Sequence, residues 1–150
     1  MRTVTVSEIA ERIRRPHEDL RATGDRIRNW TREGLLTPIG EKNPGTGKVR
    51  RYPESALMQA ALIQVIVDCT GVAPLAAGDL LKDANRIFER ASEGGLEDHL
   101  LIISKSVGDS RWTMSHVRSE KFPAFLARAR QDTHTIVVLS RLVAHVQPKI

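Results

Sequence analysis

The sequence predicts a mainly α-helical fold in which two short helices and a basic hairpin are followed by a connecting helix and a small α+β module. Two observations support this fold class. Apolar residues recur at helical spacing over most of the first 92 residues, in the segments 4–13, 25–34, 54–70 and 74–92. After Gly95 the helical spacing gives way to short β-branched runs and to alternation of apolar and polar residues, which are typical of strands.

A third observation, the distribution of charge, divides the chain. Residues 1–52 carry twelve Lys and Arg against seven Asp and Glu, and they therefore hold the whole net charge of +5. The rest of the chain carries eleven of each and is neutral. A basic region beside a neutral one is typical of a polyanion-binding unit joined to a second module. We divide the 150 residues into a unit at 1–72, which contains this basic region, a connecting helix at 73–95 and a module at 96–150.

The first helix is predicted over residues 4–13. Thr5 is a suitable N-cap, because Glu8 follows three residues later as in a capping box. Pro16 ends this helix, and a polar joint over residues 17–24 follows it.

The second helix is predicted over residues 25–34, with Gly34 as its C-cap. A hairpin is predicted over residues 38–52, because its tip at 43–47 is rich in Gly, Pro, Asn and Thr. Residues 48–52 form the returning strand in this interpretation.

Pro53 opens the third predicted helix, and Pro74 opens the fourth, which ends before Gly94. The last part of the chain is predicted to hold a short apolar run, two strands and two helices, at residues 100–103, 111–116, 122–131, 135–139 and 140–146. It forms the small α+β module.

Several functional classes are not favoured by the composition. The single cysteine, Cys69, lies in an apolar run and is predicted to be a buried hydrophobic residue, and the five histidines show no ligand spacing. We therefore expect no metal and no cofactor. The chain shows no signal peptide and no apolar run of about 20 residues, so we expect a cytoplasmic protein.

The segment most informative about function runs from residue 27 to residue 52. A helix with three arginines and one asparagine is followed by a basic hairpin, which is the arrangement of a winged helix-turn-helix on double-stranded DNA. Arg suits phosphate and guanine, and Asn suits adenine. The candidate DNA-binding residues are Arg26, Arg28, Asn29, Arg32, Lys42, Lys48, Arg50, Arg51 and Tyr52.

These segments resemble the MerR family of transcriptional regulators over residues 5–72. Residues 27–38 (Ile-Arg-Asn-Trp-Thr-Arg-Glu-Gly-Leu-Leu-Thr-Pro) are similar to its recognition helix and following turn, and Arg-Arg-Tyr-Pro-Glu at 50–54 is similar to the end of its wing. Val-Ser-Glu-Ile-Ala at 6–10 resembles its first helix.

The resemblance carries expectations for single residues. It implies that Arg28 grips the DNA backbone, that Trp30 holds an aromatic position, and that Arg50 or Arg51 clamps phosphate above Tyr52. It also implies RNA polymerase as a further partner. The chain departs from the family in its longer joint between the first two helices and in lacking the long coiled-coil helix.

A homodimer is expected, because one recognition helix reads few base pairs and two can read an inverted repeat. The predicted dimer surface combines an apolar helical stripe with a β-branched run: Leu80, Leu81, Ala84, Ile87, Phe88, Ile136, Val137, Val138 and Leu139.

Two other functional classes remain open at this stage. The first is an architectural DNA-binding protein, similar to the excisionases of mobile elements. The second is an enzyme with an incidental basic face, which we do not favour because the Gly-Thr-Gly-Lys at residues 45–48 lacks the full spacing of a phosphate-binding loop and precedes a strand.

Overall fold

The computed structural model describes residues 2–95, 97–131 and 133–146, without the side chains of Phe88 and residues 91–94. Within these residues the chain forms six α-helices and two small antiparallel sheets. The fold is therefore mixed α+β, and the prediction of a mainly α-helical fold that starts with a winged helix-turn-helix is wrong.

The chain begins with strand β1 (Thr3–Thr5), which leads directly into helix α1 (Val6–Ile13). The Thr5 hydroxyl accepts the backbone N–H of Glu8 at 3.3 Å, and the Glu8 carboxylate accepts the backbone N–H of Thr5 at 2.7 Å. The predicted capping box is confirmed, and it fixes where α1 starts.

Helix α2 (Leu20–Arg32) begins five residues before its predicted start. The reason is the Asp19 side chain, which accepts the backbone N–H of Arg21 at 3.2 Å and caps the helix inside the stretch assigned to the polar joint. Gly24 lies where α2 approaches α1, and a Cβ at this position would stand 3.6 Å from the side chain of Val6.

The predicted hairpin does not form. Residues 33–50 contain no strand, and the short strand β2 (Arg51–Pro53) pairs with β1 in the antiparallel register Val4↔Tyr52. Two prolines in the loop lack the N–H that a ladder requires, and Gly45 and Gly47 have φ values of +89° and +84°. The strand at 51–53 instead pairs with β1, at residues 3–5.

Helix α3 (Ser55–Thr70) is the centre of the molecule. Nine of its sixteen residues are buried, since it packs against α1, against α4 (Gly78–Gly94) and against α6 (Leu139–Val146). Apolar side chains lie on nearly every side of α3, which explains this burial.

The C-terminal sheet has the strand order β4-β3-β5, with β3 (His99–Lys105) between β4 (Thr113–Arg118) and β5 (Thr133–Val138), all antiparallel. A 3₁₀ turn (Ser119–Lys121) and helix α5 (Phe122–Arg128) connect β4 to β5.

One hydrophobic core joins the two ends of the chain. Leu101, Ile103 and Val137 lie on one face of the sheet and belong to the same cluster as Ile9, Trp30 and the buried residues of α3. Helix α6 contacts both α3 and α1 and closes this core.

The structure also bears on the expectations for Cys69, for membrane-spanning helices and for metal ligands. Cys69 is exposed near the end of α3, so the prediction of a buried cysteine is wrong. No helix in residues 2–95, 97–131 and 133–146 combines the length and hydropathy needed to cross a bilayer. Among the same residues no three His, Cys, Asp or Glu side chains lie together as a metal site would require.

Candidate nucleic-acid interface

The outer face of α2 is a polar stripe. Its members recur three or four residues apart and are all exposed: Arg21, Asp25, Arg28, Asn29 and Arg32. At 1.5 Å per residue the stripe is about 16 Å long. Three of its five side chains are arginines, and nothing apolar interrupts it, so this face can approach a polyanion directly.

A groove of about 640 Å³ lies between this helix, the start of α1 and the loop at residues 43–50. Arg28 stands on one side, and Lys48 and Arg50 stand on the loop side, while Ser7 lies at the start of α1. We call it the basic groove. It brings together three of the nine predicted DNA-binding residues and does not include Arg51.

Arg28 is held in the basic groove by an exposed partner. Its guanidinium lies 2.7 Å from the Asp25 carboxylate, and the two side chains are 53% and 61% exposed. An ion pair in water contributes little, because solvent screens it and ordering two long side chains costs entropy. Arg28 can therefore exchange Asp25 for a phosphate at small cost.

Arg50 and Lys48 extend from the loop. Nη2 of Arg50 donates to Oδ1 of Asn43 at 3.1 Å, while Nε of Arg50 is buried without a hydrogen-bond partner among the described residues. Lys48 is exposed. The guanidinium of Arg50 thus has hydrogen-bonding capacity that the free protein does not use.

Arg21 is not among the predicted DNA-binding residues, yet it lies beside the basic groove. A smaller cavity of about 190 Å³ shares Val6, Ser7 and Arg28 with the groove and adds Arg21. Arg21 was assigned to the joint before α2 because the Asp19 cap went unrecognised. Recognising Asp19 as an N-cap would have placed Arg21 on the same stripe as Arg28.

Arg26 has a different environment from its neighbours. It forms a bidentate ion pair with Glu18, and its guanidinium lies 5.6 Å from the centre of the Trp30 ring. The hydrogen bond from Arg26 lowers the pKa of Glu18 to about 2, with further bonds from the Arg15 amide and the Thr23 hydroxyl. Arg26 therefore links the joint to α2. Because its side chain is only 17% exposed and paired with Glu18, it is not available to a ligand.

Tyr52 is fully buried. Thr31 donates its hydroxyl hydrogen to the carbonyl of Ile27 at 3.0 Å, so the Tyr52 hydroxyl donates to Thr31 Oγ1 at 2.7 Å. Tyr52 thereby ties β2 to α2, and its side chain does not reach the surface.

The other candidate residues lie at the edges of this surface. Arg32 and Asn29 are exposed and hydrogen-bonded to each other. Lys42 donates to the carbonyl of Arg32 at 2.9 Å, which joins the loop to the end of α2. Arg51 is exposed on β2 and donates to the Thr3 hydroxyl at 3.3 Å.

The residues predicted for a dimer surface have mixed environments. Leu81, Ala84, Val137 and Leu139 are buried within the chain. The partly exposed members, Leu80 and Ile87, pack against that core, and Val138 is half-buried. Ile136 is 43% exposed, and the side chain of Phe88 lies outside the described residues.

No protein-family model matches this chain, and a search of curated proteins finds no significant match.

Proposed function

We propose that this protein is a cytoplasmic, sequence-specific transcriptional regulator of the MerR type that binds double-stranded DNA. The observation that carries the proposal is the basic groove, in which Arg28 of α2 meets Lys48 and Arg50 of the loop. The resemblance of residues 27–38 and 50–54 to a recognition helix and its following basic segment supports the same function.

In this proposal two sets of side chains share the work. The groove residues Arg28, Lys48 and Arg50 contact phosphates and fix the position of the protein on the duplex. The exposed end of the α2 stripe, with Asn29 and Arg32, enters the major groove, which is about 12 Å wide and admits one helix. Asn29 and Arg32 then read base edges.

The loop at residues 33–50 acts as an irregular arm beside the helix. Lys42 joins it to the end of α2, and the Ile39 amide N–H donates to the Arg51 carbonyl at 2.8 Å. The arm therefore keeps Lys48 and Arg50 near Arg28 without a β-ladder.

The regulator acts as a homodimer on an inverted repeat, because one α2 stripe can cover only a few base pairs. RNA polymerase is the further partner that a promoter-bound regulator of this type would contact.

The test is duplex capture from a random library with the full chain, followed by affinity measurements on the selected site. We expect Arg28→Ala and Arg50→Ala each to weaken binding about 5- to 50-fold and to reduce the salt dependence by about one unit of slope. Arg86→Ala is the matched control, since Arg86 on α4 also pairs with an aspartate three residues earlier, at 3.8 Å.

The outcomes separate the alternatives. Unchanged affinity in both groove variants, or an equal loss in Arg86→Ala, contradicts the assignment of the basic groove. Selection of direct repeats in place of inverted repeats favours an architectural DNA-binding protein. No enrichment of any sequence would contradict sequence-specific binding.

A further inference from the structure

β5 lies at an edge of the C-terminal sheet, because within the described residues it pairs with β3 and with no second strand. Alternate residues of an edge strand direct their N–H and C=O groups away from the sheet, where they can pair with another strand. Proteins commonly protect such edges with lysine, proline or a bulge. β5, with the sequence Thr-His-Thr-Ile-Val-Val, contains no lysine or proline, and its register with β3 runs without a bulge.

The opposite edge of the same sheet is protected. β4 carries Arg118 and His116, and α4 packs against it. Arg118 places a permanent charge on β4, whereas β5 contains no Asp, Glu, Lys or Arg. Of the two edges, β5 is therefore the one suited to pairing with an identical strand.

We propose that β5 pairs antiparallel with β5 of a second copy of this chain about a two-fold axis, which joins two three-stranded sheets into one of six strands. This interface supplies the homodimer that the proposed function requires, and in that respect it rests on that function. A two-fold axis perpendicular to the sheet keeps the faces of both copies aligned, so the two cores lie on the same side.

The side chains of β5 indicate the register. Residues opposite each other in an antiparallel pair share a face, and Ile136 is 43% exposed on the face away from the central core. An axis at Ile136 places its two copies opposite each other and sets Thr135 opposite Val137. Each Ile136 side chain then covers the other.

The distribution of charge fits this arrangement. All of the net positive charge lies in residues 1–52, and the neutral remainder of the chain contains β5. Contact through β5 therefore joins the neutral parts of two copies and leaves both basic grooves free.

The first test uses charge at position 136 and sedimentation equilibrium at micromolar concentration. We expect the unmodified chain to be dimeric, Ile136→Lys and Ile136→Glu each to be monomeric, and their mixture to form heterodimers. Ser115→Lys is the matched control, because Ser115 on β4 and Ile136 on β5 flank the same residue of β3, Ile102. It should leave the dimer intact. A monomeric unmodified chain, a monomeric mixture or an equal loss in Ser115→Lys overturns the proposal.

A second variant covers the case in which a charge at position 136 prevents folding. Residues directly opposite in an antiparallel pair have Cα atoms about 4.5–5.5 Å apart, within the range of a disulfide. In a Cys69→Ser background, Ile136→Cys should form a covalent dimer on mild oxidation, and Ser115→Cys should not. Absence of the covalent dimer in Ile136→Cys overturns the register.

None of these measurements uses DNA. A dimer through β5 that binds no duplex would contradict the proposed function and leave the interface standing. A DNA-binding protein that fails the cross-linking and charge tests would contradict the interface alone.

Discussion

We call β1, α1, α2, β2 and α3 the head of the molecule. The head and the C-terminal sheet differ in their internal contacts and in what they leave exposed. In the head, Tyr52 is bonded to Thr31, and Glu18 to Arg26, across different segments of the chain. In the sheet, β3 is buried along almost its whole length, while most residues of β4 and β5 are half-buried or exposed. The head shares one core with the sheet and α6, and the exposed arginines of α2 are free for a ligand. In the sheet, the edge strand β4 packs against α4, and the other edge strand, β5, is free for a partner.

The largest expected difference between the two regions concerns their tryptophans. Trp30 is 1% exposed in the head, whereas Trp112 beside the sheet is half-buried, with Lys105 5.3 Å from its ring. We expect Trp30→Ala to cost about 3–5 kcal/mol of unfolding free energy and Trp112→Ala about 1–2 kcal/mol. Denaturant unfolding of both variants measures the difference. Equal costs would contradict the view that the head is the more tightly packed region.

Acid should affect the head through Glu18. Its pKa is lowered from 4.5 to about 2 by the Arg26 hydrogen bond, so its contribution is complete above about pH 4.5 and is lost as the pH falls towards 2. We expect Glu18→Gln to cost about 1–3 kcal/mol at pH 7 and to make the unfolding free energy less dependent on pH between 4.5 and 2. Urea unfolding across that range measures both effects.

Thr23→Val is the companion variant, since it removes the contacts of the Thr23 hydroxyl with Glu18 at 3.0 Å and with the Asp19 carbonyl at 3.2 Å and leaves Arg26 in place. It should keep most of the acid dependence. If Glu18→Gln and the unmodified chain show the same dependence on pH, the ion pair does not stabilise the head.

The sheet should respond to milder acid, and by less. Burial lowers the pKa of His116 below its usual 6.5, with contributions from His99, whose Nδ1 is 2.6 Å from His116 Nε2, and from Arg118. The unfolded chain therefore takes up this proton first, and stability falls as the pH drops below 6.5. Hydrogen exchange should show β3 and β4 losing protection as the pH falls below 6.5, before the head does. Loss of protection in the head before the sheet would contradict this order. An equal loss in β3 and β4 of the His116→Gln variant would contradict the role of His116.

Local signals in the sequence predicted the start of α1 correctly. Thr5 and Glu8 identified the start of α1 because both members of the capping box lie within four residues. The burial of α3 followed from its apolar residues on all sides. In the candidate site, the same local reasoning identified Arg28, Lys48 and Arg50, which line one groove.

The failures came from partners distant in sequence. A glycine-rich turn suggested that residues 38–52 pair with each other, but β2 pairs with residues 3–5. Arg26 lies next to other exposed arginines in sequence, yet a glutamate eight residues earlier binds it. The apolar stripe of α4 resembled a subunit contact, but it packs against the core of its own chain. Helical spacing alone does not show which surface an apolar stripe will contact.

The irregular arm at residues 33–50 bears on how the affinity of the basic groove for its ligand can change in evolution. Gly45 and Gly47 hold a left-handed backbone that other residues adopt only with strain, and few hydrogen bonds join the arm to the rest of the chain. Insertions and deletions in such a segment disturb folding little. Changes in length or stiffness at its tip, residues 43–47, would move Lys48 and Arg50 relative to α2, while Leu36 at the other end of the arm stays in the core. Under the proposed function, the strength of DNA attachment can therefore evolve separately from the stability of the fold.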